Sequence, residues 1–320
     1  LENRLEDLWS IFDFLNPGFL GSLEEFRTRF AIPIERYRNK ESSDSLAKVI
    51  RPFILRRLKS DSKIIDDLPE KMEMDLITSL TDEQAFLYQQ ALNELLPQVE
   101  DASGIHRKGL VLATITKLKQ ICDHPVLYLQ DQSSLEKRSG KLNRLSELLE
   151  VILAENDKVL IFTQFAKMGH LLQSYLTERF NQEVLYLYGS LARGARDKII
   201  KRFSQKDGPN IFVLSLKAGG FGLNLAEANQ VIHYDQWWNP AVQEQATDRA
   251  YRIGQKRNVQ VRTFICKGTL EEKINELQKS KKDLAKSVVG STKTALTQLS
   301  AEELRNILQL TRGVDGDDDD

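Results

Sequence analysis

The sequence has little cysteine and no long apolar segment. Its 320 residues include two cysteines, Cys122 and Cys266, which are too few for the disulfide framework of a small secreted domain and fit a reducing compartment. No apolar run approaches the ~18 residues of a membrane-spanning helix, and no signal-peptide pattern is present, so we expect neither a membrane protein nor a secreted one. A hydrophobic content of 41% and a charged content of 28% are typical of a globular protein of about two domains.

Motifs of metal and nucleophile chemistry are also missing. The closest cysteine–histidine pair is Cys122 and His124, and two ligands without partners do not predict a zinc site. No arrangement of serine, histidine and aspartate indicates a hydrolytic triad. The Gly-x-x-x-x-Gly-Lys-Ser/Thr run of a Walker A loop does not occur in the sequence. The sequence therefore predicts no metal site and no phosphate-binding loop of that type.

The net charge is close to zero but unevenly distributed. The chain has 45 lysines and arginines against 46 aspartates and glutamates. Five of the acidic residues lie in the last six positions, so the rest of the chain carries a small positive excess. A mildly basic body with an acidic end is compatible with nucleic-acid binding but does not require it.

The hydrophobic pattern changes near residue 140. Earlier residues predict mostly helices with one strand, the helices at 5–15, 22–30, 81–97 and 107–122 and the strand at 72–80. Later residues alternate between apolar strands, at 158–163, 183–188, 210–216, 230–235 and 259–266, and helices, at 166–180, 191–205 and 240–252. Two amphipathic helices are expected at 269–288 and 300–310. Strands that are apolar throughout are typical of a parallel sheet covered by helices on both faces, so an α/β fold is predicted.

Ligands of open α/β sheets bind beyond the carboxyl ends of the strands, and two of the predicted strand ends are unusual. The first leads into three glycines within four positions, preceded by Lys217. Bare backbone N–H groups beside a lysine are suited to binding an anion, although a tight strand-to-helix turn explains the same residues.

The second strand end leads into a helix that carries two arginines. Gln245, Arg249 and Arg252 are spaced i, i+4 and i+7 and are expected to share one face. Two guanidiniums and an amide on one face form a clamp suited to a polyphosphate. The alternative is a solvated charged stripe, or salt bridges to Asp248 and Glu244.

Two consecutive tryptophans, Trp237 and Trp238, precede this helix. Neighbouring residues in extended chain point in roughly opposite directions, so one ring is expected inside and the other toward the crevice. Tryptophans at a strand end are usually core residues. The alternative is a platform that stacks on nucleic acid or enters its groove.

These motifs together resemble the Swi/Snf family of helicase-like, DNA-translocating ATPases of superfamily 2. The resemblance rests on Ser-Leu-Lys-Ala-Gly-Gly-Phe-Gly-Leu-Asn-Leu at 215–225, Asp-Gln-Trp-Trp-Asn-Pro at 235–240, and Gln-Ala-Thr-Asp-Arg-Ala-Tyr-Arg-Ile-Gly-Gln at 245–255. Further agreement comes from Lys-Leu-Lys-Gln-Ile-Cys-Asp-His-Pro at 117–125, Ser-Gly-Lys at 139–141, Val-Leu-Ile-Phe-Thr-Gln-Phe at 159–165 and Tyr-Gly-Ser at 188–190. The motifs occur in the family's order over residues 1–290, and their spacing is most similar to the prokaryotic, recombination-type branch.

The resemblance implies two RecA-like lobes with ATP between them. The family's first lobe carries the Walker A lysine and an Asp-Glu pair that holds Mg²⁺, and this sequence has neither, so we expect the C-terminal half of a longer enzyme that is inactive alone. The implied organisation is the end of lobe 1 with a linker at 1–70, a helical protrusion on lobe 2 at 71–139, the RecA-like C-terminal lobe at 140–268, brace helices at 269–312 and an acidic disordered tail at 313–320.

The resemblance also implies roles for matching residues. Arg249 and Arg252 correspond to arginine fingers that reach the γ-phosphate of ATP, with Gln245 and Asp248 positioning them. The implied nucleotide-facing loop residues are Gly220, Gly222 and Asn224, and the implied DNA contacts are Lys141, Arg196, Lys217 and Trp238.

The implied function is the C-terminal lobe of an ATP-dependent double-stranded DNA translocase that remodels protein–DNA complexes. Its cofactor is ATP with Mg²⁺ held by the other lobe, and its partners are double-stranded DNA, the N-terminal lobe and DNA-bound proteins, with no membrane. The expected location is the cytoplasm, on the nucleoid, in a prokaryote and the nucleus in a eukaryote. A strand-separating helicase and a non-catalytic docking or regulatory lobe are the alternatives.

Overall fold

A computed structural model describes residues 5–37, 39–54, 68–216, 223–284, 297 and 299–311 of the chain. The chain divides into two units, Leu1–Asp66 and Asp67–Asp320. Each unit has a hydrophobic core of its own. Among the described residues, no helix is both long and apolar enough to cross a membrane.

The first unit consists of short helices. They are α1 (Leu5–Leu15), α2 (Leu23–Phe26), α3 (Ile32–Tyr37) and α4 (Lys40–Ile50). The Ser22 hydroxyl accepts a hydrogen bond from the Glu25 N–H, which begins α2 with a capping box. The helix predicted at 22–30 is interrupted, because Arg27–Ala31 form a π-helical turn that places Phe30 in the core with Phe26. The helix predicted at 5–15 is confirmed.

The second unit is built on six parallel strands. They are β1 (Lys71–Thr78), β2 (Val159–Thr163), β3 (Val184–Leu187), β4 (Ile211–Ser215), β5 (Gln230–His233) and β6 (Val259–Cys266). Their order across the sheet is β1-β6-β5-β2-β4-β3. Every residue of β2, β3, β4 and β5 is buried, as expected for strands covered on both faces. The predicted α/β fold with a parallel sheet is confirmed.

The strand β1 is an integral part of this sheet. It pairs in parallel with β6 from Lys71 opposite Val259 to Thr78 opposite Cys266. The sequence indicated a strand here but gave no sign that it joins the main sheet, 80 residues before the next strand. After β1, at the edge of the sheet, the chain therefore forms helices between residues 82 and 154 and returns to the sheet at β2.

Helices cover both faces of the sheet, and some of them pack together around a further hydrophobic core. They are α5 (Asp82–Asp101), α6 (Gly104–Asp123), α7 (Pro125–Leu129), α8 (Gly140–Ala154), α9 (Ala166–Phe180), α10 (Arg193–Phe203), α11 (Pro240–Thr247), α12 (Leu270–Leu284) and α13 (Ala301–Leu308). The capping box predicted at Thr81 is present, since its hydroxyl accepts from the Gln84 N–H and begins α5. Side chains of α5 and α6 share one core with α12 and α13.

Lys141, near the start of α8, is completely buried between two carboxylates. Its ammonium donates hydrogen bonds to Asp123 at 2.8 Å and to Glu271 at 2.7 Å. Asp123 ends α6 and Glu271 lies in the first turn of α12, and both side chains are fully buried. Burial opposes the charge of Lys141, but the two carboxylates outweigh it and raise its pKa, so the lysine stays protonated. This cluster joins three helices through one cation.

We expect Lys141→Met to lower the free energy of unfolding by about 3–5 kcal/mol, because it leaves two carboxylates buried without their cation. Urea unfolding of the 320-residue chain measures the loss. The matched control is Arg144→Met on the same helix, whose exposed pair with Glu147 contributes at most ~1 kcal/mol. Equal losses in the two variants would contradict a structural role for the buried cluster.

Candidate functional site

The carboxyl ends of the central strands are joined by a buried carboxylate. Asp235 lies just after β5 and reaches the end of β2, where it accepts hydrogen bonds from Thr163 Oγ1 at 2.5 Å and from the Gln164 N–H at 3.0 Å. Burial raises the pKa of Asp235, and the Lys119 ammonium is the strongest influence against that rise. The two strand ends are therefore fixed relative to each other.

A buried histidine joins the end of β5 to α11. His233 Nε2 lies 2.9 Å from Thr247 Oγ1, and its ring stacks on Phe162 with the centroids 5.5 Å apart. Burial lowers the pKa of His233 to about 3, so the ring is neutral at pH 7. The end of α11 is thus anchored to the sheet by an uncharged contact.

The predicted helix at 240–252 is wrong in its length. Helix α11 ends at Thr247, and tighter turns follow, in which the Arg249 N–H donates to Ala246 O at 3.1 Å. The Arg249 carbonyl accepts a hydrogen bond from the Leu225 N–H at 3.0 Å, so its partner lies in another part of the chain and not in the helix. The single helix that is expected to carry Gln245, Arg249 and Arg252 on one face therefore ends before both arginines.

The two arginines differ in exposure after this turn. Arg249 is half-buried, as are Gln245 and Asp248, whereas Arg252 is exposed. The four side chains remain within eight residues of one another at the carboxyl edge of the sheet. Guanidinium groups bind anions and do not coordinate cations, so the two arginines are suited to the phosphate end of a nucleotide and not to a metal ion.

The glycine-rich segment is described only in part. Lys217, Gly220 and Gly222 lie outside the described residues. Asn224 is exposed, and the next residue, Leu225, is the one that holds the Arg249 carbonyl. We call residues 248–252, which follow α11, the arginine turn. The end of the glycine-rich segment is therefore hydrogen-bonded directly to the arginine turn.

The predicted DNA contacts lie in different environments. Lys141 is enclosed by Asp123 and Glu271, and a fully buried ammonium cannot touch DNA, so the expected role of this residue is corrected to a structural one. The sequence could not show this, because a lysine after Ser-Gly has no local sign of burial. Arg196 on α10 is half-buried.

The tryptophans pack on opposite sides, as expected for consecutive residues. Trp237 lies against the core formed with α10 and α11, and Trp238 lies against the core of α5 and α6. Both rings are half-buried. The Lys119 ammonium is 4.7 Å from the centroid of the Trp238 ring, which is a cation–π distance.

A cavity of about 520 Å³ opens at the same edge of the sheet. Its lining includes Gln164, Phe165, Lys167, Gly189 and Ser215. The Gln164 Nε2 atom is buried and has no hydrogen-bond partner among the described residues. Sequence reasoning missed Gln164 and Lys167 as site residues, although their place directly after a central strand was the available signal.

A possible set of metal ligands lies beside the buried ion pairs. Ligand atoms of Cys122, Cys266 and Glu271 are within 4.8 Å of one another, so among the described residues these three side chains are close enough to share a metal ion. The Glu271 carboxylate is already bound to Lys141 at 2.7 Å and to the Cys266 N–H at 3.0 Å. Burial also raises the pKa of Cys122, which opposes the thiolate that a metal needs. The arrangement fits a structural cluster better than a metal centre.

Comparison with known proteins finds two families along the chain. Residues 1–127 match the SNF2-related domain, and residues 140–254 match the helicase conserved C-terminal domain. Both matches lie in the order that the sequence motifs indicated.

Individual relatives match nearly the whole chain. YwqA of Bacillus subtilis, named as an ATP-dependent helicase/translocase, is 47% identical over 313 residues, covering 97% of this chain and 34% of its own length. The SWI2/SNF2 ATPase core of Sulfolobus solfataricus in complex with dsDNA is similar with a TM-score of 0.69 and 46% identity, over 97% of this chain and 65% of that one. The C-terminal domain of the Sulfolobus protein is 42% identical with a TM-score of 0.66, over 76% of this chain and 100% of that one. The chain spans about a third of the length of the curated relatives it matches.

The buried histidine predicts a specific loss of stability in acid. His233 has a pKa of about 3 when folded against an ordinary 6.5, so between these values the unfolded chain binds a proton that the folded chain does not. The contribution of the neutral His233 ring to the free energy of unfolding is fully present above pH 6.5. It decreases as the pH falls, by about 2 kcal/mol between pH 7 and pH 5. Urea unfolding at the two pH values measures it.

His233→Asn should remove this part of the pH dependence, whereas His106→Gln, at an exposed histidine, should retain it. An unchanged acid loss in His233→Asn would show that another group takes up the proton.

Proposed function

Because the chain belongs to the SNF2-related family of helicase-like ATPases, we propose that it supplies the C-terminal lobe of an ATP-driven translocase on double-stranded DNA. The observation that carries the proposal is the arginine turn, which is bonded to Leu225 beside the glycine-rich segment and anchored to the sheet through His233 and Thr247. Relatives named for helicase or translocase activity, and one solved with dsDNA, support it.

Arg249 and Arg252 act as arginine fingers in this proposal. Phosphoryl transfer depends on positioning and on stabilising charge around the γ-phosphate, which guanidiniums do well. Gln245 and Asp248 position them, and Gly220, Gly222 and Asn224 face the nucleotide. In this proposal Mg²⁺ is held by the other lobe, as the resemblance to the family implies.

An arginine supplied from one lobe to a nucleotide held by another makes hydrolysis depend on closure of the cleft between them. If both lobes hold the DNA backbone, closing and opening move one grip relative to the other. Arg196, Lys217 and Trp238, together with the cavity beside Gln164, supply the grip of this lobe. Backbone contacts are indifferent to sequence and weaken with salt. Such a motor displaces DNA-bound proteins without separating strands.

In the enzyme that combines this chain with a Walker A lobe, Arg249→Ala or Arg252→Ala should reduce DNA-stimulated ATP turnover by ~10³-fold. DNA affinity without nucleotide should stay unchanged, because neither arginine is placed at the DNA. Steady-state hydrolysis and fluorescence anisotropy with labelled duplex measure the two effects.

Lys256→Ala, an exposed cation just beyond the turn, is the control and should hydrolyse ATP normally. If both arginine variants also hydrolyse ATP normally while remaining folded, the turn is only a charged surface and the proposal fails.

Trp238→Ala should keep much of the ATPase and lose most translocation, because a ring that engages the duplex transmits lobe movement without taking part in hydrolysis. Displacement of a third strand from duplex DNA measures translocation, and the duplex itself should stay paired, which excludes the strand-separating helicase. Trp237→Ala, on the opposite side, is the control and should change stability but not the ratio of translocation to hydrolysis.

A purely structural Trp238 would instead cost ~3–5 kcal/mol of stability on truncation. A thermal melt that shows such a loss, with an unchanged ratio of translocation to hydrolysis in the folded fraction, would contradict the DNA role.

A further inference from the structure

The segment between β5 and α11, residues 235–238, contains Asp235 and both tryptophans and is held from two sides. We infer that Lys119 on α6 is a positioning residue that couples ATP hydrolysis to DNA movement by fixing this segment. The inference rests on the proposed function and adds to it a residue that touches neither nucleotide nor DNA.

Lys119 reaches the segment from the helical layer. Its side chain is 2% exposed, and its ammonium donates a hydrogen bond to the Gln236 carbonyl. The same ammonium lies 4.7 Å from the centroid of the Trp238 ring. One cation thus holds both the main chain of the segment and the orientation of the ring.

Helix α12 holds the segment from the other side. Gln278 Nε2 donates to the Trp237 carbonyl at 3.1 Å and to the Trp238 carbonyl at 3.3 Å. Gln236 Nε2 in turn donates to Asn275 Oδ1 and Gln278 Oε1, both at 3.0 Å. Helix α12 therefore supports the segment through neutral amides, whereas α6 supports it through the ammonium of Lys119.

The charge of Lys119 also acts on the cavity edge. Burial lowers the pKa of Lys119, and Asp235 is the acidic group that most strongly opposes this. Asp235 is the carboxylate that holds Thr163 and the Gln164 N–H at the end of β2. Lys119 therefore contacts one part of the proposed DNA grip, the Trp238 ring, and its charge favours the ionised form of Asp235, which holds the Gln164 edge of the cavity.

The arginine turn has separate anchors. It is held by the contact of His233 with Thr247 and by the bond from the Leu225 N–H to the Arg249 carbonyl. Lys119 takes part in neither. Loss of its ammonium should therefore leave the hydrolytic arginines in place and loosen the DNA side, which separates hydrolysis from movement.

The test uses Lys119→Met in the two-lobe enzyme, since methionine keeps the unbranched apolar part of the side chain but not its ammonium. We expect DNA-stimulated ATP turnover to stay near the wild-type value and translocation per ATP to fall by about tenfold or more, because a misplacement of ~1 Å can cost ~10²-fold where a function depends on geometry. Lys119→Arg should restore part of the coupling. Lys117→Met, two positions earlier on the same helix, should behave as wild type.

Two further measurements separate positioning from folding. Lys119→Met combined with Asp235→Asn replaces the buried carboxylate that has lost its neighbouring cation by a neutral amide, so the melting temperature should recover while coupling stays low. Asp235→Asn alone is the control and should keep coupling, because the contacts of Lys119 with Gln236 and Trp238 remain. In the 320-residue chain, Lys119→Met should change the tryptophan emission spectrum, and this change should disappear when Trp238→Phe is already present.

Normal coupling in a folded Lys119→Met enzyme, or recovery of coupling together with stability in the double variant, would overturn the role of Lys119. An unchanged emission spectrum would overturn the contact with Trp238 and the inference with it. A wild-type enzyme whose ATPase ignores DNA would instead overturn the proposed function, and the emission change would still report on the contact.

Discussion

The packing of the second unit depends on the pairing of one buried cation, Lys141, with Asp123 and Glu271. The partners are 18 and 130 positions away in the sequence, and each begins or ends a different helix. A buried charge without a partner costs several kcal/mol, so α8 is buried stably only where the end of α6 and the start of α12 meet at its ammonium. Glu271 also accepts from the Cys266 N–H, which extends the same constraint to the end of β6.

The constraint at Lys141 also fixes the second buried cation. Lys119 and Asp123 are four residues apart on α6 and so lie on the same face of that helix. With Asp123 bound to Lys141, this face of α6 is turned inward, and Lys119 on the same face contacts the main chain of Gln236 and the ring of Trp238. A group that stabilises the fold and a group that orients the proposed DNA grip thus share one helical face, which is how a site gains precision from rigid elements.

The local sequence pattern was sufficient to predict the helices and strands but not the contacts between them. The buried strands were predictable because they are apolar on both faces, and the start of α5 because Thr81 and Gln84 form a capping box within one turn. The end of α11 was not, since it is set by the Leu225 bond to Arg249 from another part of the chain. The burial of Lys141 could not be predicted either, because the sequence around it does not indicate that Asp123 and Glu271 are its partners.

Three consecutive residues at the end of β5 connect the two sides of the proposed motor. His233 holds α11 and hence the arginine turn, whereas Asp235 holds the end of β2 beside Gln164. Between them, the Tyr234 hydroxyl donates to the Asp123 carbonyl at 3.0 Å, which ties the strand end to the helix that carries Lys119. A shift of this strand end relative to its neighbours would have to move the arginine turn, the cavity edge and α6 together. In the proposed motor, the short path between hydrolysis and DNA movement therefore runs through the backbone of these three residues. Its stiffness comes from their burial and from the hydrogen bonds that their side chains make.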